Sequence, residues 1–462
     1  MNQMKVPLSE KISYGLGDAA SNLSYTTISS FLLFFYTDVA GIGAAVAGII
    51  MLVARLFDAI FDPFMGTIID KTHTRWGRCR PYFLWMAIPY GIVMVLLFTV
   101  PDFGTTGKVA YAVITYLIFG IIYSAVNLPL SAMLPSMSDD PNERTSINSV
   151  RMICGRLAGL AANMSIVPLT ALLGSGNKSK GMFFTILIFA CIAVVLFFIT
   201  FANTRERVEI KKSEETVKLK DAIRATVKNK YWWIIAGVSL VFFVSTTLMQ
   251  QSAMYIFANY FKNMSIMVVF ALTLFAAQII AMLFAPTFVK KIGKRNISLV
   301  GLAFAVLGAL IRLLAGHALP VFLAGNVVCG IGIGFMASVL LAMMADAVDF
   351  SELKYKVRAQ GLMYAADSFS MKVGAGLGGA IGGWVLAAGS YAAGSAAQSP
   401  SAMTSIIINF HWGPMIGFAL SAVFMIFYNL DKNIVQVRKE LKERREGFSS
   451  TANADTSAVV GS

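Results

Sequence analysis

Apolar residues run in long blocks free of Asp, Glu, Lys and Arg, separated by short charged segments: 19–37, 39–54, 81–101, 109–138, 157–177, 181–203, 231–261, 263–289, 296–311, 313–345 and 373–430. A helix needs about 20 apolar residues to cross the hydrocarbon core of a bilayer, so the pattern predicts transmembrane helices throughout. The last block is long enough for two spans, broken by the small, polar segment 391–403, which brings the expected count to twelve. Composition agrees: 57% of the 462 residues are apolar and only 13% charged. A soluble domain carries about a quarter charged residues.

The first eleven residues hold charges and a proline but no apolar core ending in small residues, and are read as lacking a signal peptide. Cys79, Cys154, Cys191 and Cys329 have no CxxC spacing. They are expected to pack as small apolar residues, without a disulfide frame or metal site. The net charge of +14 raises the question of nucleic acid, but placement decides against it. Of the 38 Lys and Arg, 29 lie in the termini and alternate loops, whereas the intervening loops hold only Lys108, Lys178, Lys180 and Lys262. Positive charge stays on the cytoplasmic side, so both termini are expected inside.

The longest charged insertion, 204–230, carries nine basic and five acidic residues between the sixth and seventh spans. It divides the chain into an N-terminal six-helix bundle (1–203), a cytoplasmic linker (204–230) and a C-terminal six-helix bundle (231–442). Six plus six spans about such a linker is the pattern of the major facilitator superfamily, an all-α membrane fold. The polar tail, 443–462, is expected to be disordered. In the eleventh span Gly374, Gly376, Gly378, Gly379, Gly382 and Gly383 overlap as GxxxG pairs. They suit close helix packing, with a surface that slides as the second reading.

An ionisable side chain inside lipid costs at least a few kcal/mol, and those that occur usually face a bundle interior and mark a pathway. Arg55, Asp58 and Asp62 in VARLFDAIFDP share one helix face. Pro63 follows and frees the carbonyl of Ala59. Two carboxylates one turn apart suit a small cation or a proton; the alternative is an Arg55–Asp58 pair that only holds helices together. Arg151 and Arg156 open the fifth span, and Lys372 lies in the eleventh, in DSFSMKVGAG. These bases suit sugar hydroxyls, a substrate carboxylate or an aspartate of the other half, although Arg151 could also snorkel to lipid head groups. Asn22, Ser124 and Asn127 add uncharged polar groups that serve a ligand or glue helices. His73, His317 and His411 are isolated, which leaves a membrane-embedded enzyme as a remote alternative.

The segments YGLGDAASN, FFYTDVAG, VARLFDAIFDPFMGTIID, TRWGRCRP, NLPLSAMLP, NERTSIN and MMADAVDFSELK together resemble the glycoside/pentoside/hexuronide cation symporters, over nearly the whole chain. The resemblance implies two bundles about a central sugar site, with Asp58, Asp62, Ser124 and Asn127 as cation-binding positions. It implies a substrate set of Asn22, Asn127, Ser131, Arg151, Asp367 and Lys372, and gating positions at Arg144, Asp346, Asp349, Glu352 and Arg358. Departures from the family's melibiose carrier fall at Asn22 and Asn127, where it has aspartates, at Ser131, where it has a tryptophan, and at Phe61, where it has an asparagine. Melibiose is therefore not the expected substrate, and two lost carboxylates beside Arg151 and Lys372 point toward a uronide or other anionic sugar.

The expectation is a bacterial inner-membrane symporter that takes up a sugar, glycoside or hexuronide with a cation by alternating access. The proton is favoured over sodium, because sodium wants several oxygen ligands and Phe61 and Asn127 reduce their number. A lysolipid or other amphiphile is the alternative cargo. No cofactor is expected, no metal unless sodium is the coupling ion, no nucleic acid and no obligatory protein partner. Membrane lipids and a sugar-like small molecule are the expected partners.

Overall fold

The computed structural model describes residues 6–138, 140–208, 219–357, 359–395, 397–441 and 443, without the side chains of residues 141, 142, 219 and 432. Among the described residues the chain is almost wholly helical, and the twelve spans they form are numbered here in order. They are α1 (Leu8–Phe34), α2 (Ala44–Lys71), α3 (Arg80–Trp85 continued by Ala87–Leu97), α4 (Thr105–Met137), α5 (Pro141–Gly174) and α6 (Lys178–Asn203). The second half holds α7 (Lys230–Tyr255), α8 and α9 (the two parts of Ile266–Ala315), α10 (Leu319–Tyr355), α11 (Gln360–Ala388) and α12 (Pro400–Ile426).

Among the described residues, nine helices, counted as continuous runs, are long and apolar enough to cross a membrane. One of the nine, Ile266–Ala315, is two spans folded at Gly293, whose φ of 83° no helix accommodates. The others are α1, which carries many Ser and Thr, and α3, whose two pieces join through Met86 N–H to Tyr82 O (2.9 Å) and Tyr90 N–H to Met86 O (2.8 Å). Prolines stand inside α2, α4, α5 and α8 without ending them. In a bilayer, neighbouring helices and hydroxyls can satisfy the carbonyls that these prolines free. The expected linker contains a ten-residue helix, Leu219–Lys228. The tail beyond Glu443 lies outside the described residues.

The halves repeat one another in detail. In the first, Gly77 (φ 107°) lets the Glu206 carboxylate, just past α6, accept the backbone N–H groups of Arg78, Cys79 and Arg80 (2.7–3.1 Å). Burial and that carboxylate push the Cys79 thiol up to about 12. In the second, Gly293 lets Asp431, just past α12, accept the N–H of Arg295 (2.5 Å). A Cβ would meet the carboxylate in both places. Gly77→Ala and Gly293→Ala should each lower unfolding stability by about 1–3 kcal/mol, from strained backbone and contact together. Thermal melts in detergent check this, and unchanged melting of both variants would contradict the clasp.

The glycines of α11 serve two seams. Gly374 and Gly378 sit against backbone carbonyls of Leu240 and Val244 on α7, and Gly382 against Gln251, all within the same half. Gly376, Gly379 and Gly383 sit against Arg55, Met51 and the backbone of Ala44 and Gly48 on α2, in the other half. Close helix packing is therefore realised on both faces of the helix, once within its own half and once against the other half.

Candidate functional site

The charged face of α2 meets α4 and α11 deep in the molecule. Asp58 is buried at 3% side-chain exposure, while Asp62 (17%) and Lys372 (19%) are partly open. The Lys372 ammonium bridges Asp58 Oδ2 (3.0 Å) and Asp62 Oδ2 (2.5 Å). The Ser124 hydroxyl lies against the other oxygens, 2.6 Å from Asp58 Oδ1 and 2.7 Å from Asp62 Oδ1. The pair considered from sequence, Arg55 with Asp58, is not what forms. Asp58 is paired with Lys372, and the Arg55 guanidinium lies 5.1 Å over the Tyr25 ring.

Two features of this cluster bear on its chemistry. Two carboxylates and one ammonium sum to −1 within the ion-paired set, and the Arg55 guanidinium, an electrostatic neighbour of Asp58 on the same helix, stands outside its hydrogen bonds. A serine hydroxyl has one proton to donate, yet it stands at hydrogen-bonding distance from two carboxylate oxygens. A proton on one carboxyl, donated to Ser124 Oγ, completes both bonds.

The remaining positions form a second group on α1 and α5. The Arg151 guanidinium donates to Asp18 Oδ1 (3.1 Å) and, at 3.4 Å, to the Tyr14 hydroxyl. Asn22 donates to the other Asp18 oxygen (3.0 Å). Gly155 leaves room for this packing, since a Cβ there would meet Asp18 and Asn22. Asn127 is half-buried and Ser131 exposed. Asp367 is fully buried and accepts from Ser239 (2.7 Å).

Asp18 was not singled out in the sequence, because it stands at the edge of a charge-free block, although GLGDAASN contained it. Its presence corrects the electrostatic argument for an anionic sugar. Arg151 is paired with Asp18 and Lys372 with two aspartates, so these two bases are compensated despite Asn22 and Asn127, whereas Arg156 makes no ion pair among the described residues. Arg312 was also passed over. It is 1% exposed and held by Asn326 Oδ1 (3.3 Å), the sulfurs of Met249 and Cys329, and the Phe410 ring.

Contacts between the halves are concentrated on the side away from the linker. The Thr37 and Tyr255 hydroxyls meet at 2.7 Å, and Asp38 Oδ1 accepts from the Tyr391 hydroxyl (2.8 Å) and Gly394 N–H (3.3 Å). The α2–α11 glycine seam continues inward to the Asp58–Asp62–Lys372 cluster. On the linker side, the described ion pairs of Asp346 and Asp349 stay within the second half, with Lys294 (2.5 Å) and Arg438 (2.8 and 3.4 Å). Arg144 donates to Ser138 O (2.6 Å) and Pro135 O (3.3 Å) of its own half. Glu352 is half-buried on α10, and Arg358 lies outside the described residues.

The family described as MFS/sugar transport protein matches residues 13–432. A protein named isoprimeverose transporter, from Lactiplantibacillus pentosus, is 41% identical over 452 residues, covering 97% of this chain and 94% of that one. The inner membrane symporter YicJ of Escherichia coli is 31% identical over 97% of this chain and 99% of its own. Among solved structures, a bacterial homolog of the human lysosomal transporter Spinster shares the fold, with a TM-score of 0.63 and 12% identity over 94% of this chain and 97% of that one. The nucleoside transporter NupG does so with a TM-score of 0.62 and 16% identity over 91% of this chain and 100% of its own. With two six-helix bundles and a charged cluster between them, this chain is a membrane transporter and not an enzyme, and it belongs to the MFS/sugar transport protein family, among the glycoside cation symporters of the major facilitator superfamily.

Proposed function

We propose that this sugar symporter couples uptake of an uncharged glycoside to a proton, with Asp58 and Asp62 as the cation-binding pair. The observation that carries the reading is the Ser124 hydroxyl set between two carboxylates that share the Lys372 ammonium, because its single proton cannot serve both oxygens and one bound proton completes the set. Binding of a proton there weakens the hold on Lys372. The freed ammonium, with Asn127 of the facing half, can then donate to sugar hydroxyls. Coupling requires only that the sugar binds better when the cation is present.

The domain reading follows the charge pattern: bundles at 1–203 and 231–442, a linker at 204–230 and both termini on the cytoplasmic side. The inter-half contacts then lie on the outer side, and the cluster is reached from the cytoplasm. Alternating access exchanges those outer contacts for inner ones, with Arg144, Asp346, Asp349, Glu352 and Arg358 at the inner gate.

Compensation of Arg151 and Lys372 by carboxylates favours a neutral glycoside over a uronide. The name of the 41%-identical relative supplies isoprimeverose as the first compound to test. Cation-driven uptake of isoprimeverose that exceeds that of a glucuronide is the expected result. Saturable glucuronide uptake with no isoprimeverose uptake would overturn the substrate reading.

The Arg151–Asp18 pair separates folding from binding. Arg151→Gln strands a carboxylate, which should cost about 1–3 kcal/mol of stability. Adding Asp18→Asn should restore melting but not sugar binding. Recovery of both in the double variant would make Arg151 purely structural.

A further inference from the structure

The side of the molecule away from the linker is closed unevenly. Along α2 and α11 glycines bring the halves into backbone contact, whereas on the opposite seam a cavity of about 430 Å³ is left between them. Its walls are apolar and come from both halves, with Phe31 of α1, Ile166 of α5 and Met182 of α6 facing Met254 of α7. Apolar walls of this extent gain little from water and favour an apolar occupant.

Two lysines line the same cavity, Lys178 at the start of α6 and Lys262 just past α7. Both are exposed, and neither has a carboxylate partner among the described residues. They are two of only four basic residues in the loops on this side.

The repeat shows that Lys262 is held there at a cost. After α1, a π-helical turn (Phe35–Val39) is closed by Ala40 N–H to Phe35 O and Ile42 N–H to Tyr36 O, and Gly41 between them has φ 72°. After α7, the turn Ile256–Tyr260 is closed by the matching bonds, Phe261 N–H to Ile256 O and Asn263 N–H to Phe257 O. Here the residue in the left-handed conformation is Lys262, at φ 50°. Glycine takes this conformation freely, whereas a residue with a Cβ pays about 1–2 kcal/mol. A strained lysine where the other half uses glycine points to a task for its ammonium.

We infer that this cavity binds an anionic phospholipid from the leaflet on the side away from the linker, with an acyl chain between the halves and its phosphate on Lys178 and Lys262. A sugar would leave the apolar walls unsatisfied, and a soluble anion would leave the cavity unfilled. The assignment does not depend on which sugar or ion is carried.

Native mass spectrometry of the detergent-purified full chain, titrated with phosphatidylglycerol or phosphatidylcholine, tests it. The protein should retain phosphatidylglycerol more tightly, and Lys178→Gln with Lys262→Gly should weaken that binding by about fivefold per lysine while leaving phosphatidylcholine unchanged. Lys262→Gly relieves a strained backbone, so the variant should melt no lower than the parent in the absence of added lipid. Ala258→Trp, which fills the cavity, should weaken both lipids. Equal affinity for the two lipids, undiminished phosphatidylglycerol binding in the double variant, or displacement of the lipid by millimolar glycerol 3-phosphate would overturn the inference.

Discussion

Asp58→Asn and Asp62→Asn should each abolish accumulation against a gradient while sparing downhill flux. With one carboxylate replaced, Lys372 and the remaining aspartate make a neutral pair, and the cluster no longer calls for an added cation. A single coupled charge gains about 2.3 kcal/mol per 100 mV, which sustains roughly fiftyfold accumulation. Loss of the coupled charge should bring the ratio to about one. Counterflow of labelled sugar should persist, because rocking of the bundles does not require the charge. Full concentrative uptake by both variants would remove these residues from the coupling site.

Gly383→Leu should shift the conformational balance rather than the chemistry. A Cβ at Gly383 meets the α2 backbone, 2.9 Å from Gly48 Cα and 3.0 Å from Gly48 N. Backbone cannot yield as a flexible side chain would, so the halves must separate on this side. Overpacking of this kind costs about 1–3 kcal/mol. That corresponds to a roughly 5- to 150-fold loss of the state open toward the linker. Sugar uptake should fall accordingly, and a cysteine introduced at Met51, buried in the same seam, should gain reactivity toward an impermeant maleimide added outside. Gly374→Leu is the control, since its Cβ meets Leu240 within one half and should lower melting without opening the seam. Equal maleimide reactivity in the Gly383 variant and the parent would contradict the gate.

Much of this was legible along the chain because lipid is an exacting solvent. Charge-free blocks define spans, and Asp58, Asp62 and Lys372 stood out as charges in apolar surroundings. Their convergence was not legible, because spacing along a helix gives a shared face but not what faces it. The Arg55–Asp58 spacing suggested a pair that the packing of α11 against α2 supersedes. Asp18 was hidden by position, at the margin of the first charge-free block, and its pairing with Arg151 reverses the charge argument for an anionic substrate. Arg312 was hidden by its surroundings, since no nearby acidic residue marks it and its contacts are sulfurs, an amide and an aromatic ring from distant segments. The repeat of left-handed positions, Gly77 with Gly293 and Gly41 with Lys262, depends on backbone angles that the sequence records only where glycine is present.

In the proposed mechanism one proton completes the Asp58–Ser124–Asp62–Lys372 cluster and drives sugar uptake. The direct measurement is isoprimeverose uptake into sodium-free proteoliposomes under an imposed pH gradient, compared with an imposed sodium gradient at constant pH. Accumulation driven by the pH gradient, alkalinisation of the medium on adding sugar, and loss of both in Asp58→Asn are expected. Accumulation driven by sodium alone, with no proton movement, would contradict it.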